Sequence, residues 1–555
     1  MRIMTTLVVS VALWIGSVST AIAAKAPDAA ALKVHADQLL EQNYQADGPG
    51  AAVLVARGDE VLYRGARGLA NVELGVPLAP EQVFRIGSVT KQFAAATVMK
   101  LIDQGKLSLN DPLSKFLPDY PNGDKITVLQ LLNHTSGVKS YTGIPGVMAG
   151  PIRMDLSTSA LIDTFKNLPV DFAPGSAWAY NNSGYVLVGA VIEAVTGQSW
   201  DAAIQQLVLA PAGLNHTRLG ADDVLIAGMA SGYGSKGGKV IPAAYLSMTQ
   251  PHAAGALVST VDDLFHWNRA LHGGQLLKPE SYEQMITPTG AAKDAGYGFG
   301  IGPGTVRGRA QLSHGGGIHG FSSHLLYLPK DQISVVVLQN SDDGPDVATL
   351  AVKLAAFALG DPYPEAKAIA VEPEVLARYE GVYRIDEQNT RTLRLVDGAL
   401  TSQRSGGQQL KLTPIEADVF LFDDGLTRLT IERDDDNQIS GMRLFQNGEG
   451  EGQFAERTDE PLPSERAHID LDAAQLQRVL GAYLAGPGTM TVFVDNDQLK
   501  VQLSGQPAFD LFAASPDQFF LTVVDATLEF AAGDPAPSLT LKQGGAVIEF
   551  TRKAE

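Results

Sequence analysis

The stretch Ser88-Val89-Thr90-Lys91-Gln92-Phe93-Ala94-Ala95-Ala96-Thr97-Val98-Met99-Lys100-Leu101-Ile102 sets a hydroxyl and an amine three residues apart at the head of an Ala-rich run. The pattern predicts an amphipathic helix ending near Gly105. Residues three apart on a helix share a face, so Lys91 Nζ can reach Ser88 Oγ. A serine hydroxyl is a weak nucleophile until a base takes its proton, and a partly desolvated lysine can do that. A helix starting at Ser88 also aims its positive dipole end at the reacting centre.

Two motifs follow in order. Tyr180-Asn181-Asn182 lies within Trp178-Ala179-Tyr180-Asn181-Asn182-Ser183-Gly184-Tyr185. A tyrosine beside a cationic lysine can relay protons, and an amide can hold a substrate carbonyl or the lysine itself. His314-Gly315-Gly316-Gly317 then precedes two apolar runs, Leu325–Leu328 and Ile333–Leu338. Glycines such as Gly316 on an edge strand let a substrate backbone lie close, and an N–H at Gly317 could complete an oxyanion hole with that of Ser88. Each motif has a decoy. Ser136-Gly137-Val138-Lys139, Tyr120-Pro121-Asn122 and His272-Gly273-Gly274 repeat the three patterns. None of the decoys has the helix, loop and strand that the set at 88, 180 and 314 has.

With these motifs, residues 40–345 resemble the class C serine β-lactamases and the related low-molecular-weight penicillin-binding proteins, esterases and D-amino-acid peptidases. The stretches Leu131-Leu132-Asn133-His134-Thr135-Ser136-Gly137, Phe172-Ala173-Pro174-Gly175 and Gly255-Ala256-Leu257-Val258-Ser259-Thr260-Val261-Asp262-Asp263-Leu264 carry the likeness further. The resemblance implies Ser88 as acylated nucleophile, Lys91 as its partner, Tyr180 as general base and Asn182 as a substrate ligand. His314 stands where the β-lactamases usually have lysine. A neutral histidine grips a carboxylate less firmly, and histidine here is familiar in D-aminopeptidases and some DD-peptidases.

Beyond residue 360 the texture changes. Gly360-Asp361-Pro362-Tyr363-Pro364-Glu365 looks like a linker, and a second acidic, Pro-rich break runs from Thr458 to Ser464. Short alternating runs, such as Thr392–Val396 and Thr489–Val494, dominate what remains. Leu376, Arg378, Gly381 and Tyr383 recur one hundred residues later as Leu476, Arg478, Gly481 and Tyr483. Gln446-Asn447-Gly448 likewise matches Gln543-Gly544-Gly545, and Phe454 matches Phe550. The segments read as a duplicated β domain. The expected layout is an α/β catalytic domain of β-lactamase/transpeptidase type, an antiparallel sheet flanked by helices, over residues 24–360. Two antiparallel β-barrel domains, 366–458 and 465–555, follow it. That order resembles D-aminopeptidases more than β-lactamases, although the second repeat has no long inserted loop.

The formal net charge is −19, and residues 361–555 carry about −16 of it, so nucleic acid is disfavoured as a partner. Met1-Arg2-Ile3, the apolar run Thr6 to Thr20 and Ala21-Ile22-Ala23 read as a signal peptide, residues 1–23, which predicts a periplasmic or secreted protein without stable membrane insertion. The absence of cysteine removes thiol chemistry, disulfides and Cys-bound metals. No H-E-x-x-H occurs, and His314, His319 and His324 are spaced five apart, unsuited to one helical face, so neither a metal nor a cofactor is expected. His134, His319 and His324 are assigned structural places. No Gly-x-Ser-x-Gly elbow is present, which removes the α/β-hydrolase alternative.

The expected activity is that of an exported serine hydrolase acting on small peptides, amides or esters, first of all a D-amino-acid-specific peptidase. A carboxylic-ester hydrolase, a D-Ala-D-Ala carboxypeptidase or β-lactamase, and a slowly acylated cell-wall sensor are the alternatives. Homo-oligomerisation is left open.

Overall fold

The strand Ala51–Arg57 (β1) is apolar for six residues without alternation, the pattern of a strand covered on both faces. In the computed structural model Ala52, Leu54 and Ala56 enter one hydrophobic core, while Ala51, Val53 and Val55 enter another. Residues 27–553 are described, apart from Pro145 and residues 365–366, 464–467, 470, 486–487, 496–497, 504–507, 523 and 544–545. The expected signal peptide lies outside the described residues, as do Gly544 and Gly545 of the repeat.

Five more strands join β1: Glu60–Arg67 (β2), Gly302–Val306 (β3), Arg309–Ile318 (β4), Phe321–Leu328 (β5) and Ile333–Gln339 (β6). They form an antiparallel sheet in the order β3-β4-β5-β6-β1-β2, with Val53 opposite Val337 and His314 opposite Leu325. Chain-distant β1 and β6 pair at its centre, so the sheet ties the two ends of the catalytic part together.

Helices Ala29–Asn43 (α1) and Val347–Leu359 (α6) cover one face, contributing Leu32, Leu40, Leu350 and Leu354 to its core. The other face meets the larger core, built around Thr90–Asp103 (α2), Asn182–Thr196 (α3), His252–Gly255 (α4) and Val261–His272 (α5). The α2 helix departs from the amphipathic expectation. It is buried all round from Thr90 to Met99. Its alanines allow neighbours on every side, Phe93 stacks on Trp267 at 4.2 Å, and Gln92 accepts the Trp267 indole N–H at 2.7 Å. A helix so enclosed holds its first turn rigidly, and that turn carries Lys91.

The C-terminal part forms two closed eight-stranded antiparallel barrels, from Gly381–Arg384 to Gln453–Arg457 and from Gly481–Ala485 to Ala546–Arg552. The expected fold class is thus present in all three of its parts. The repeat has a packing reason. Tyr383 donates to Tyr379 O at 2.7 Å, and Tyr483 donates to Val479 O at 2.9 Å, the same step back in each barrel. Arg457 and Arg552 donate to Glu380 O and Leu480 O beside the paired glycines.

The first barrel is fastened to the catalytic part at the β3–β4 turn. Glu449 accepts from Thr305 Oγ1 at 2.9 Å, Tyr363 OH at 3.0 Å, Gly308 N at 3.4 Å and the Arg307 N–H. Leu426 of that barrel sinks into the core under α1 and α6.

Candidate active site

The chain reaches Ser88 through a sharp bend. Gly87 has φ +48°, and a side chain there would meet Gly317 N and O at 3.0 Å. Gly87–Val89 forms a single 3-10 turn that runs into α2, so Ser88 sits just ahead of the helix and Lys91 in its first turn.

Lys91 is fully buried, and its Nζ lies 2.9 Å from each of three oxygens: Ser88 Oγ, Asn182 Oδ1 and Ala254 O. Burial holds its pKa well below the usual lysine value. As a neutral amine it would donate to Asn182 and Ala254 and present its lone pair to the Ser88 hydroxyl. That is the state a general base needs.

The second motif resolves into three tasks. Tyr180 ends the loop, with its ring centroid 4.7 Å from Lys91 Nζ. Burial raises its hydroxyl pKa, while the Ser88 hydroxyl beside it pulls the other way. Asn181 caps α3, accepting from Gly184 N at 2.8 Å, and also donates to Val138 O. Asn182, the first residue of α3, donates through Nδ2 to Thr142 at 3.1 Å, which leaves Oδ1 for Lys91. His134, at φ +64°, packs under this motif, with rings of Tyr180, Tyr297 and Tyr185 at 4.5, 4.7 and 5.3 Å. Its Nδ1 accepts from Asn181 N at 3.2 Å.

His314 lies on β4, half-buried, with its ring 6.2 Å from that of Tyr180. Nδ1 faces Gly315 O at 2.6 Å and Nε2 faces Tyr297 OH at 2.8 Å. A carbonyl can only accept, so the proton is on Nδ1 and Nε2 accepts from the tyrosine. Burial, and then the Lys91 charge, push its pKa down to about 3. This imidazole is neutral and has no donor left over for a substrate carboxylate. Gly316 is a glycine for a steric reason, since a Cβ would lie 2.1 Å from Ile86 O and 2.4 Å from Ser323 Oγ. At Gly317 a Cβ would meet nothing within 4 Å.

A cavity of about 380 Å³ opens beside Ser88. Met148, Ile152, Leu246 and Ile318 give it apolar walls, and Asn182, Gly317, His319, Ser322 and Asp342 also line it. No lysine or arginine is among its described lining residues. Tyr180 and His314 stand outside it, which separates a cavity side of Ser88 from an aromatic side. His319 lines the cavity, whereas His134 and His324 do not. Among the described residues no group of three His, Cys, Asp or Glu side chains could hold a metal ion.

The decoys fall away on geometry. Ser136 is buried, and Lys139 pairs with Asp171 at 2.7 Å. His272 stacks on Tyr327 at 4.4 Å. Sequence reasoning missed Ala254, whose carbonyl carries no side-chain signal, and Asp342, which follows β6 by three residues. It also missed Tyr297, although flanking glycines in Gly296-Tyr297-Gly298 mark it out.

The beta-lactamase family model matches residues 36–359. A D-aminopeptidase of Gluconobacter oxydans (strain 621H) is 30% identical over 323 residues, 57% of this chain and 60% of that protein. A penicillin-binding protein of Bacillus subtilis (strain 168) is 27% identical over 404 residues, covering 68% of this chain and 88% of that protein. The structure of a D-stereospecific amidohydrolase from Streptomyces sp. superposes with a TM-score of 0.51 at 30% identity, over 58% of this chain and 97% of that one. The chain thus spans about three fifths of the length of the D-aminopeptidase it resembles.

Proposed function

This chain belongs to the beta-lactamase family and is a serine hydrolase, and from that premise we propose that it is an exported D-amino-acid-specific peptidase or amidase. The observation that carries the reading is the neutral His314, both of whose ring nitrogens are engaged. A carboxypeptidase or penicillin-type substrate brings a carboxylate that needs a cation or spare donors. His314 is held neutral, and the described lining of the cavity holds no lysine or arginine. An amide or anilide without a C-terminal carboxylate makes no such demand. The D-aminopeptidase and D-stereospecific amidohydrolase relatives support the same choice.

In this reading Lys91 Nζ takes the proton from Ser88 Oγ, and Ser88 attacks the scissile carbonyl. The N–H groups of Ser88 and Gly317 receive the oxyanion, with Gly316 allowing the strand to lie close. Tyr180 hands its proton to the leaving amine and is reprotonated from Lys91. Water then enters by the same route in reverse and releases the acyl group. Asn182 orients Lys91 and borders the substrate, and His314 bounds the leaving-group side. Residues 1–23 direct the protein to the periplasm or the medium.

The test is one preparation assayed on D-Ala-p-nitroanilide, N-acyl-D-Ala-D-Ala, a short p-nitrophenyl ester and a chromogenic cephalosporin. Hydrolysis of the anilide, abolished in a folded Ser88→Ala variant, is expected. Cleavage of the ester alone would overturn the peptidase reading.

A further inference from the structure

The cavity beside Ser88 carries one formal charge among its described lining residues, and it is negative. Asp342 follows β6 and lines the cavity together with the apolar Met148, Ile152 and Leu246. One carboxylate oxygen is fixed, since Oδ2 accepts from Gly320 N at 2.7 Å. The other, Oδ1, has room because residue 234 is a glycine, and a Cβ there would come within 3.0 Å of it. No lysine or arginine pairs with Asp342 among the described residues. His319 is tied through Nδ1 to Ala244 O at 3.0 Å, and Ser322 also lines the cavity. Asp342 is exposed, so its carboxylate stays in contact with water; an acidic acyl group would be repelled here and a cationic one attracted.

We infer that this cavity receives an acyl group ending in a cation, an ammonium or a guanidinium, which pairs with Asp342 while the carbonyl sits at Ser88. The inference rests on the reading of Ser88 as nucleophile and deepens the substrate class. The reach agrees with it. Gly317 borders Ser88, and Gly320, which holds Asp342, stands three residues further on, at most about 10 Å at strand rise. A lysine-type side chain spans roughly 7–8 Å from carbonyl carbon to amine at ordinary bond lengths, and a charge-assisted hydrogen bond of about 2.8 Å closes the distance. An α-amino group lies only two bonds from the carbonyl, so a cation at the end of the chain has the greater reach. The cation therefore belongs to the end of an extended chain, as in a D-lysyl or D-arginyl residue.

Two substrate pairs test this on the full chain. The p-nitrophenyl esters of 6-aminohexanoate and hexanoate place the same chain in the cavity with and without the terminal ammonium, and need no peptidase activity. The p-nitroanilides of D-lysine and D-norleucine repeat the comparison on an amide. A kcat/KM ratio of about threefold to fivefold in favour of the amine is expected, the range of an ion pair with an exposed carboxylate. In Asp342→Asn, checked for folding by its melting curve, the ratio should fall to near one. Equal rates on the two esters, or a preference that survives in Asp342→Asn, would overturn the inference. Inert anilides with a preserved ester ratio would sink only the peptidase reading.

Discussion

Asn182 presents its carbonyl oxygen to Lys91 Nζ at 2.9 Å because its amide nitrogen is already engaged by Thr142 at 3.1 Å. The amide is thereby held in one orientation, with an uncharged acceptor against the amine. A carboxylate at the same place would favour the ammonium form and raise the Lys91 pKa. Asn182→Asp should therefore lower kcat/KM at pH 7 by about a hundredfold, the scale of lost general-base assistance. The acid limb of its pH–rate profile should move to higher pH. A variant with an unshifted limb would mean that Lys91 is not the titrating base.

The pH dependence of the native enzyme follows from two groups. His314, held at about 3, stays neutral across the working range, and activity should rise with pH as the buried Lys91 amine is freed of its proton. His314→Gln should leave the position of that limb in place. A limb near pH 6.5 that vanishes in this variant would assign the titration to the histidine instead.

Much of this site was legible in the sequence, and what was missed has a common cause. Ser88 and Lys91 stand out because helical spacing alone brings them together, and the apolar runs of β5 and β6 stand out because burial on both faces forbids polar alternation. The barrel duplication was readable from Gly381 and Tyr383 against Gly481 and Tyr483, since each tyrosine needs the same backbone acceptor. Ala254, Tyr297 and Asp342 reach the site through tertiary contacts that no local pattern encodes. The burial of α2 was missed for a related reason: an alanine surface looks much the same whether it faces water or a neighbouring helix. His314 was placed correctly on its strand, but its partner Tyr297 decides its tautomer.

Gly316 and Gly317 should respond in opposite ways to alanine. At Gly316 the added methyl meets Ile86 O, a backbone atom that cannot swing aside. Overpacking of this kind costs about 1–3 kcal/mol, and Gly316→Ala should lose both melting temperature and most activity. Gly317→Ala meets open space, so its melting curve should match the native one. Equal destabilisation of the two would contradict the close approach of β4 to the Ser88 turn.

Acid should weaken the fold before it reaches the carboxylates. Burial pushes His252 and His272 down to about 3 and His324 to about 4, all below the unfolded value of 6.5. The folded state then binds fewer protons than the unfolded one between those limits. Stability on their account is complete above about pH 6.5 and is lost as pH falls toward 3. Each histidine gives a slope of at most ~1.4 kcal/mol per pH unit. Urea midpoints measured from pH 7 to 4 should decline steadily, and a flat series would show these histidines protonated in the native state.

Glu449 holds the turn from which the His314 strand departs through three donors there and accepts a fourth bond from Tyr363. Glu449→Ala should remove on the order of 2 kcal/mol of charged hydrogen bonding and lower kcat several-fold on anilide and ester alike. Loss of one substrate only would point instead to a barrel that reaches the substrate.

The enclosure of Lys91 has a thermodynamic signature beyond catalysis. In the unfolded chain its amine is an ordinary lysine, charged up to about pH 10.4, while in the native state burial disfavours that charge. Between the native and the unfolded pKa, folding therefore expels a proton from this position, and calorimetry in buffers of different ionisation enthalpy would read it as a buffer-dependent heat. The nucleophile's readiness is in this sense established once, when the protein folds, and is carried unchanged into every turnover.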